Sequence, residues 1–198
     1  MTEYAQKTMQ YVTRNGIVRP RDIEAIGIPR EYLLRLYRQG KLERAGRGMY
    51  SLSHGVVTER HSYAEVSKRV PGAILCLLSA LAFHEITTQN PAAVWIALPK
   101  GARTPAFASP AIRVVRLSGT SLAEGIEEHR VEGVPVRVYS VAKTVADCFK
   151  FRNRIGLDVA MEALRDSIRQ KKATVNAIHR FAKICRVDNV MRPYLESL

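Results

Sequence analysis

Residues 16–52 read GIVRPRDIEAIGIPREYLLRLYRQGKLERAGRGMYSL, and this stretch decides the fold. Ile17-Val18 is a short extended piece. Pro20 suits the first turn of a helix over 21–26, where its missing N–H would have no partner in any case, and Gly27 ends it. Pro29 opens a further helix over 30–39, and Gly40 closes it with the left-handed conformation that a helix C-terminus favours. Residues 42–45 and 49–52 flank Gly46-Arg47-Gly48, which makes two short strands around a basic glycine turn. Upstream, residues 3–14 place Tyr4, Thr8, Tyr11 and Val12 on one helical face, stopped by Asn15-Gly16. Three short helices followed by a hairpin predict a winged helix-turn-helix.

The helix over 30–39 carries the functional reading. At 100° per residue Leu33, Leu36 and Tyr37 cluster on one side, with Leu34 at the margin. Glu31, Arg35, Arg38 and Gln39 lie opposite. The apolar side would hold the helix on its domain and turn the guanidinium side to a major groove, where arginine bonds guanine O6 and N7 in a bidentate fork. Arg30 sits at the helix start, where free N–H groups and the positive dipole end favour phosphate. Lys41, Arg44 and Arg47 would set the wing on backbone or minor groove. Two arginines on a wet helix face are by themselves only a solvated surface. Their order here, behind two helices and ahead of a basic Gly-Arg-Gly wing, points to DNA, although winged helices also serve as protein-binding modules.

Composition agrees. The chain has 198 residues, 46% hydrophobic and 25% charged, and its formal net charge is +13. That is a folded globular composition with one to two domains, and the excess of cations suits a polyanionic partner. The longest apolar stretch, 73–83, is far short of the roughly 20 residues that span a bilayer. Three widely spaced cysteines at 76, 148 and 185 suggest a reducing cytoplasm without a disulfide framework. No membrane contact is expected.

Residues 16–52 also resemble the N-terminal domain of AbiEi antitoxins. The resemblance rests on the Arg-x-x-Leu-x-Arg-Leu-x-x-x-Gly-x-Leu spacing from Arg30 to Leu42, together with the Arg-Gly-Met-Tyr wing at 47–50. The same domain is found on other C-terminal partners, so the rest of the chain must be read separately.

The reading assigns 1–55 to the winged helix-turn-helix, with a linker near Ser53-His54-Gly55, and 56–198 to a mixed α/β domain ending in helices, an α+β chain in all. Ser62-x-x-Glu65 suggests a capping box for a helix over 63–70. A helix is expected at 77–86, with Cys76 as a small buried hydrophobe. Strands are expected at 93–98 and 112–117, with Trp95 in the core, and a hairpin at 126–131 and 134–139 around Glu132-Gly133. Ser140 should cap a helix to about 151, another helix should run over 157–171, and Thr174 should cap a third with Ile178, Phe181, Ala182 and Cys185 inward. A last helix after Asp188 should be interrupted at Pro193. Residues 143–198 hold 12 basic and 6 acidic side chains, which serve either as a solvated surface or as a second nucleic-acid surface.

This part resembles AbiEi proteins as well, in Ser79-Ala80-Leu81-Ala82-Phe83-His84, the Trp95 strand, and VYSVAKTVADC at 138–148. The resemblance implies an antitoxin of a type IV toxin–antitoxin system in phage defence. Such a protein represses its own promoter through inverted repeats in double-stranded DNA and counteracts a nucleotidyltransferase-like toxin.

Enzyme chemistry is sparse. The five histidines are scattered, and Cys-x-x-Cys, His-x-x-x-His, a Walker loop and Gly-x-Gly-x-x-Gly are all missing from the sequence. No metal or cofactor is therefore expected. No Asp-x-Lys or Glu-x-Lys occurs, which argues against a restriction-like nuclease, since Mg²⁺ needs carboxylates. Lys143 and Asp147 share a helix face, and Lys100 and Arg103 sit in a loop after a strand. The four are either an intrahelical ion pair with a solvated loop, or a surface that docks a toxin or phosphate. A toxin-modifying phosphotransferase is the enzymatic alternative, with Asp147, Asp158 and Asp166 as the nearest acids, and a protein-docking module without specific DNA binding is the third reading. No sustained heptad seam is present, so a monomer is expected, two of which would occupy an inverted repeat.

Overall fold

The computed structural model describes residues 2–53, 58–89 and 91–197. They pack as two compact units, one of residues up to Pro71 with Arg130–Val136, the other of Gly72–His129 with the chain from Arg137 onward. Of the linker expected near Ser53-His54-Gly55, Ser53 still donates its N–H to the Lys41 carbonyl at 3.2 Å, while the rest of it and the expected division at 55/56 lie outside the described residues.

The first unit is the winged helix-turn-helix. Its elements are α1 (Glu3–Asn15), α2 (Pro20–Glu24), α3 (Glu31–Arg38), β1 (Leu42–Gly46), β2 (Met49–Leu52) and α4 (His61–Arg69). Pro20 occupies the first turn of α2, and the Asp22 carboxylate accepts the Arg19 N–H at 2.9 Å. Gly40 ends α3 at φ +70°. Its N–H bonds the Tyr37 carbonyl at 2.9 Å, and Lys41 N–H reaches Leu36 at 3.0 Å. That is the paired-bond helix stop expected of a left-handed glycine. β1 and β2 are antiparallel with a bulge between Arg44 and Gly46. Val18 exchanges two 2.9 Å backbone bonds with Tyr50, adding a third strand-like segment. Ala5, Val12, Val18, Ile23, Ile28, Leu33, Leu36, Leu42 and Tyr50 form the core.

α4 begins two residues earlier than expected, and the Ser62 capping box does not form. Thr58 accepts the Arg60 N–H at 3.2 Å, and Glu65 turns forward to Arg69 at 2.5 Å. Once the first turn is formed upstream, Ser62 lies inside the helix and cannot cap it.

The second unit contains β3 (Ile74–Leu75), α5 (Leu77–Phe83), β4 (Val94–Pro99), β5 (Ile112–Leu117), α6 (Thr120–Ala123), α7 (Val141–Lys150), α8 (Arg152–Ile155), α9 (Leu157–Arg169), α10 (Val175–Cys185) and α11 (Asp188–Leu195), together with β6 (Ile126–Val131) up to His129 and β7 (Val134–Tyr139) from Arg137. The sheet order is β5-β4-β3-β7-β6. β4 runs parallel to β5, and β3 is antiparallel to β4 but parallel to β7. Trp95, Ala97, Val115 and Leu117 share a core with Val145, Phe149, Leu164, Phe181 and Met191 from α7, α9, α10 and α11. Ser140 and Thr174 cap α7 and α10 through their side chains, as the sequence indicated.

Three expectations change. α5 stops at Phe83, because Glu85 turns left-handed at φ +56° and Ile86 N–H folds back onto the Leu81 carbonyl at 3.0 Å. Pro193 does not interrupt α11, which continues to Leu195. Tyr194 packs on Phe149 with ring centroids 5.4 Å apart, so core packing outweighs the lost backbone bond. α9 ends at Arg169 rather than 171, since Lys171 adopts φ +56°.

Candidate nucleic-acid interface

α3 buries Leu33 and Leu36 and packs against β1 and α1. Its other side carries Glu31, Arg35, Arg38 and Gln39, all exposed. Arg30, Lys41, Arg44 and Arg47 are exposed as well, so all seven candidate residues reach solvent from one helix and its adjoining wing. Arg30 occupies the position before the first helical residue and lies 3.8 Å from Glu24. That exposed contact is weak and easily exchanged for a phosphate.

Two tyrosines support the arginines, and sequence reasoning did not find them in that role. The Arg35 guanidinium stands 5.3 Å from the Tyr32 ring centre, and Arg44 stands 5.2 Å from Tyr37. Tyr37 also meets Tyr50 edge-on at 5.9 Å, and thus ties α3 to the wing. Stacking on an aromatic face restricts the guanidinium while leaving its five donors free. The signal was present as i,i+3 spacing between Tyr32 and Arg35.

Beside this surface Glu132 accepts Thr58 N–H at 2.8 Å, Thr58 Oγ1 at 2.9 Å and pairs with His61 Nδ1 at 2.7 Å. Burial would raise this carboxyl, yet the Thr58 and His61 contacts hold it below the usual carboxylate range. Glu132 and His61 line a cavity of about 380 Å³ with Val12, Ile17 and Leu52.

The other candidate set does not share a surface. Lys100 and Arg103 are exposed after β4, in a loop pinned by Arg116, which donates to the Pro99 carbonyl at 3.2 Å and to Thr104 at 2.8 Å. Lys143 and Asp147 form the i,i+4 ion pair at 2.5 Å, but it is sealed in the core, 0% and 1% exposed. They therefore cannot dock a toxin or meet a phosphate from solvent. Lys143 Nζ lies 4.2 Å from the Tyr139 ring centre, and the Cys185 thiol donates to Asp147 Oδ1 at 3.3 Å. Burial raises the Asp147 carboxyl against the pull of Lys143. Burial also pushes the Cys185 thiol up to about 12 and the Cys76 and Cys148 thiols well upward, so all three stay protonated. Among the described residues no three His, Cys, Asp or Glu side chains are grouped to hold a metal ion. No helix among them is long and apolar enough to cross a membrane.

Residues 7–53 match the family described as "Transcriptional regulator, AbiEi antitoxin". The AbiEi resemblance is thereby shown over the winged-helix segment that carries the seven exposed residues. No curated protein matches the chain. Three solved chains do. One is the RV2827C protein from Mycobacterium tuberculosis, whose crystal structure is similar over 92% of this chain and 72% of that one, with TM-score 0.58 and 15% sequence identity. At that identity the likeness is one of fold.

Proposed function

We propose that the protein is a DNA-binding regulator and antitoxin that represses its own promoter. The observation that carries this reading is the cationic face of α3 beside a basic wing, within the segment that matches AbiEi regulators. In the reading, α3 lies in the major groove and Arg35 and Arg38 contact base edges, with Gln39 beside them. Arg30 takes a phosphate at the helix start, and Lys41, Arg44 and Arg47 seat the wing on backbone or minor groove. Two copies on an inverted repeat would place two recognition helices about one DNA turn, or a multiple of it, apart.

The remainder of the chain would counteract a nucleotidyltransferase-like toxin in a phage-defence system in the cytoplasm. The 1–55 and 56–198 division then separates DNA binding from antitoxicity. Lys100 and Arg103 remain available in this reading as a toxin or phosphate contact, whereas Lys143 and Asp147 serve the fold.

The test is a binding titration with upstream and scrambled duplexes, run alongside co-expression with the neighbouring gene product. Preference for upstream DNA by about 10³-fold or more, and relief of toxicity, are expected. Equal affinity for both duplexes contradicts the repressor reading, and undiminished toxicity contradicts the antitoxin reading.

A further inference from the structure

Trp95 is the only tryptophan in the chain, and it lies 4% exposed in the core of the second unit. Two guanidiniums stand over it. Arg113 comes from the edge strand β5, in parallel register with Trp95, with its guanidinium 5.3 Å from the ring centre. Arg154 comes from α8, at 5.7 Å. Both arginines are exposed, and neither has an ion-pair partner among the described residues. The sequence around them repeats the bias: 99–117 holds four cations and no carboxylate, and 148–157 holds three cations and none.

Charged residues on an edge strand commonly guard against strand pairing, and that accounts for Arg113. It does not account for Arg154, which reaches the same indole from a helix. With their guanidiniums 5.3 and 5.7 Å from one ring centre, the two unneutralised charges share one small patch, and a polyanion that meets both relieves their mutual repulsion. Each guanidinium is held on the indole, so its planar fork loses little freedom on meeting a phosphate.

We propose that Arg113 and Arg154, held on Trp95, form a second phosphate-binding site that takes the sugar–phosphate backbone of nucleic acid, independently of the winged helix. Phosphodiesters suit the pair better than an acidic protein face, because a polynucleotide supplies phosphates at a regular spacing to both guanidiniums and to the cation-only segments beside them.

The unique tryptophan makes the site its own reporter. Full-length protein is titrated with a 30-base-pair duplex of scrambled sequence, while Trp95 emission and the anisotropy of labelled DNA are followed at several salt concentrations. DNA is expected to change Trp95 emission in wild type and in Arg35→Ala/Arg38→Ala, because the winged helix contains no tryptophan. Arg113→Gln/Arg154→Gln should lose the emission change and lower the slope of log K against log salt by about 1.8, two phosphate contacts at 0.9 each. Its unaltered circular dichroism and melting temperature verify the fold, and single Arg154→Lys, which keeps the charge, should retain most of the slope. Emission that stays constant while anisotropy saturates overturns the proposal. So does a response to poly-glutamate but not to DNA, which assigns the site to an acidic protein, or a response to inorganic phosphate alone, which assigns it to a small anion. A failed winged-helix reading leaves the Trp95 response intact, so the two outcomes are separable.

Discussion

Removing either member of the buried Lys143–Asp147 pair should be far more damaging than removing both. In Asp147→Leu the Lys143 ammonium, 0% exposed, keeps only the Tyr139 ring at 4.2 Å, and the Cys185 thiol loses its acceptor. In Lys143→Met the carboxylate keeps only that weak thiol donor. Breaking one partner of a buried pair costs about 3–5 kcal/mol, whereas replacing both by apolar residues of similar volume is neutral or stabilising by about 1–4 kcal/mol. Against a typical total of about 5–15 kcal/mol, either single change takes a large share. Urea unfolding followed by Trp95 emission reads the same unit. With a urea slope of about 2 kcal/mol/M, each single variant should shift the midpoint down by roughly 2 M, and the double variant should lie at or above wild type. Single variants within about 0.5 kcal/mol of wild type, or a double variant as weak as the two singles added together, would refute the buried-pair reasoning.

Other perturbations address other parts of the molecule. Arg35→Ala or Arg38→Ala should cost about 1–3 kcal/mol on the upstream site and relax its specificity, read by competition against single-base variants. Arg44→Ala or Arg47→Ala should flatten the salt slope by about 0.9, read by anisotropy, and weaken all sequences alike if the wing meets phosphate, whereas a wing in a narrow minor groove loses some sequence preference as well. Gly125→Ala combines a φ of +75° with Phe181 and Lys143 carbons 2.9 Å from the new Cβ, and should lower stability by about 2–4 kcal/mol in calorimetry. Burial works to raise the Asp22 carboxyl, but Lys68 at 2.6 Å and the Arg19 N–H bring it below its usual 3.8. Because the folded form is the stronger acid, this stabilisation is complete above the unfolded value and is lost as pH falls through the folded one. Asp22→Asn should thus be less stable than wild type at pH 6, with the difference shrinking as an acid series passes below the usual carboxylate range.

The winged helix was legible because its punctuation is chemical. Pro20, Gly40 and the Gly46-Arg47-Gly48 turn each demand one backbone conformation, and the 3.6-residue period fixed which side of α3 is wet. The inward residues of α10 were legible by the same period, and Trp95 by the continuous apolar run of its strand. What failed was short or tertiary. β3 has two residues, both buried, so no alternation marks it. α6 and α8 have four residues each, too short for a periodic face. The Lys143–Asp147 spacing correctly gave the ion pair but not its depth, because burial there is set by α10 packing on α7. Tyr37 as a bridge between Arg44 and Tyr50 needs the wing folded back onto α3, a contact between residues 7 and 13 positions apart.

Sequence-specific DNA binding through α3 is measured by titrating the protein against its own upstream duplex and a scrambled one, with Arg35→Ala/Arg38→Ala alongside. Wild type should prefer the upstream duplex by about 10³-fold or more, and the double variant should fall to the affinity shared with scrambled DNA. Equal binding of both duplexes by wild type, or an undiminished preference in the double variant, would contradict specific binding through α3.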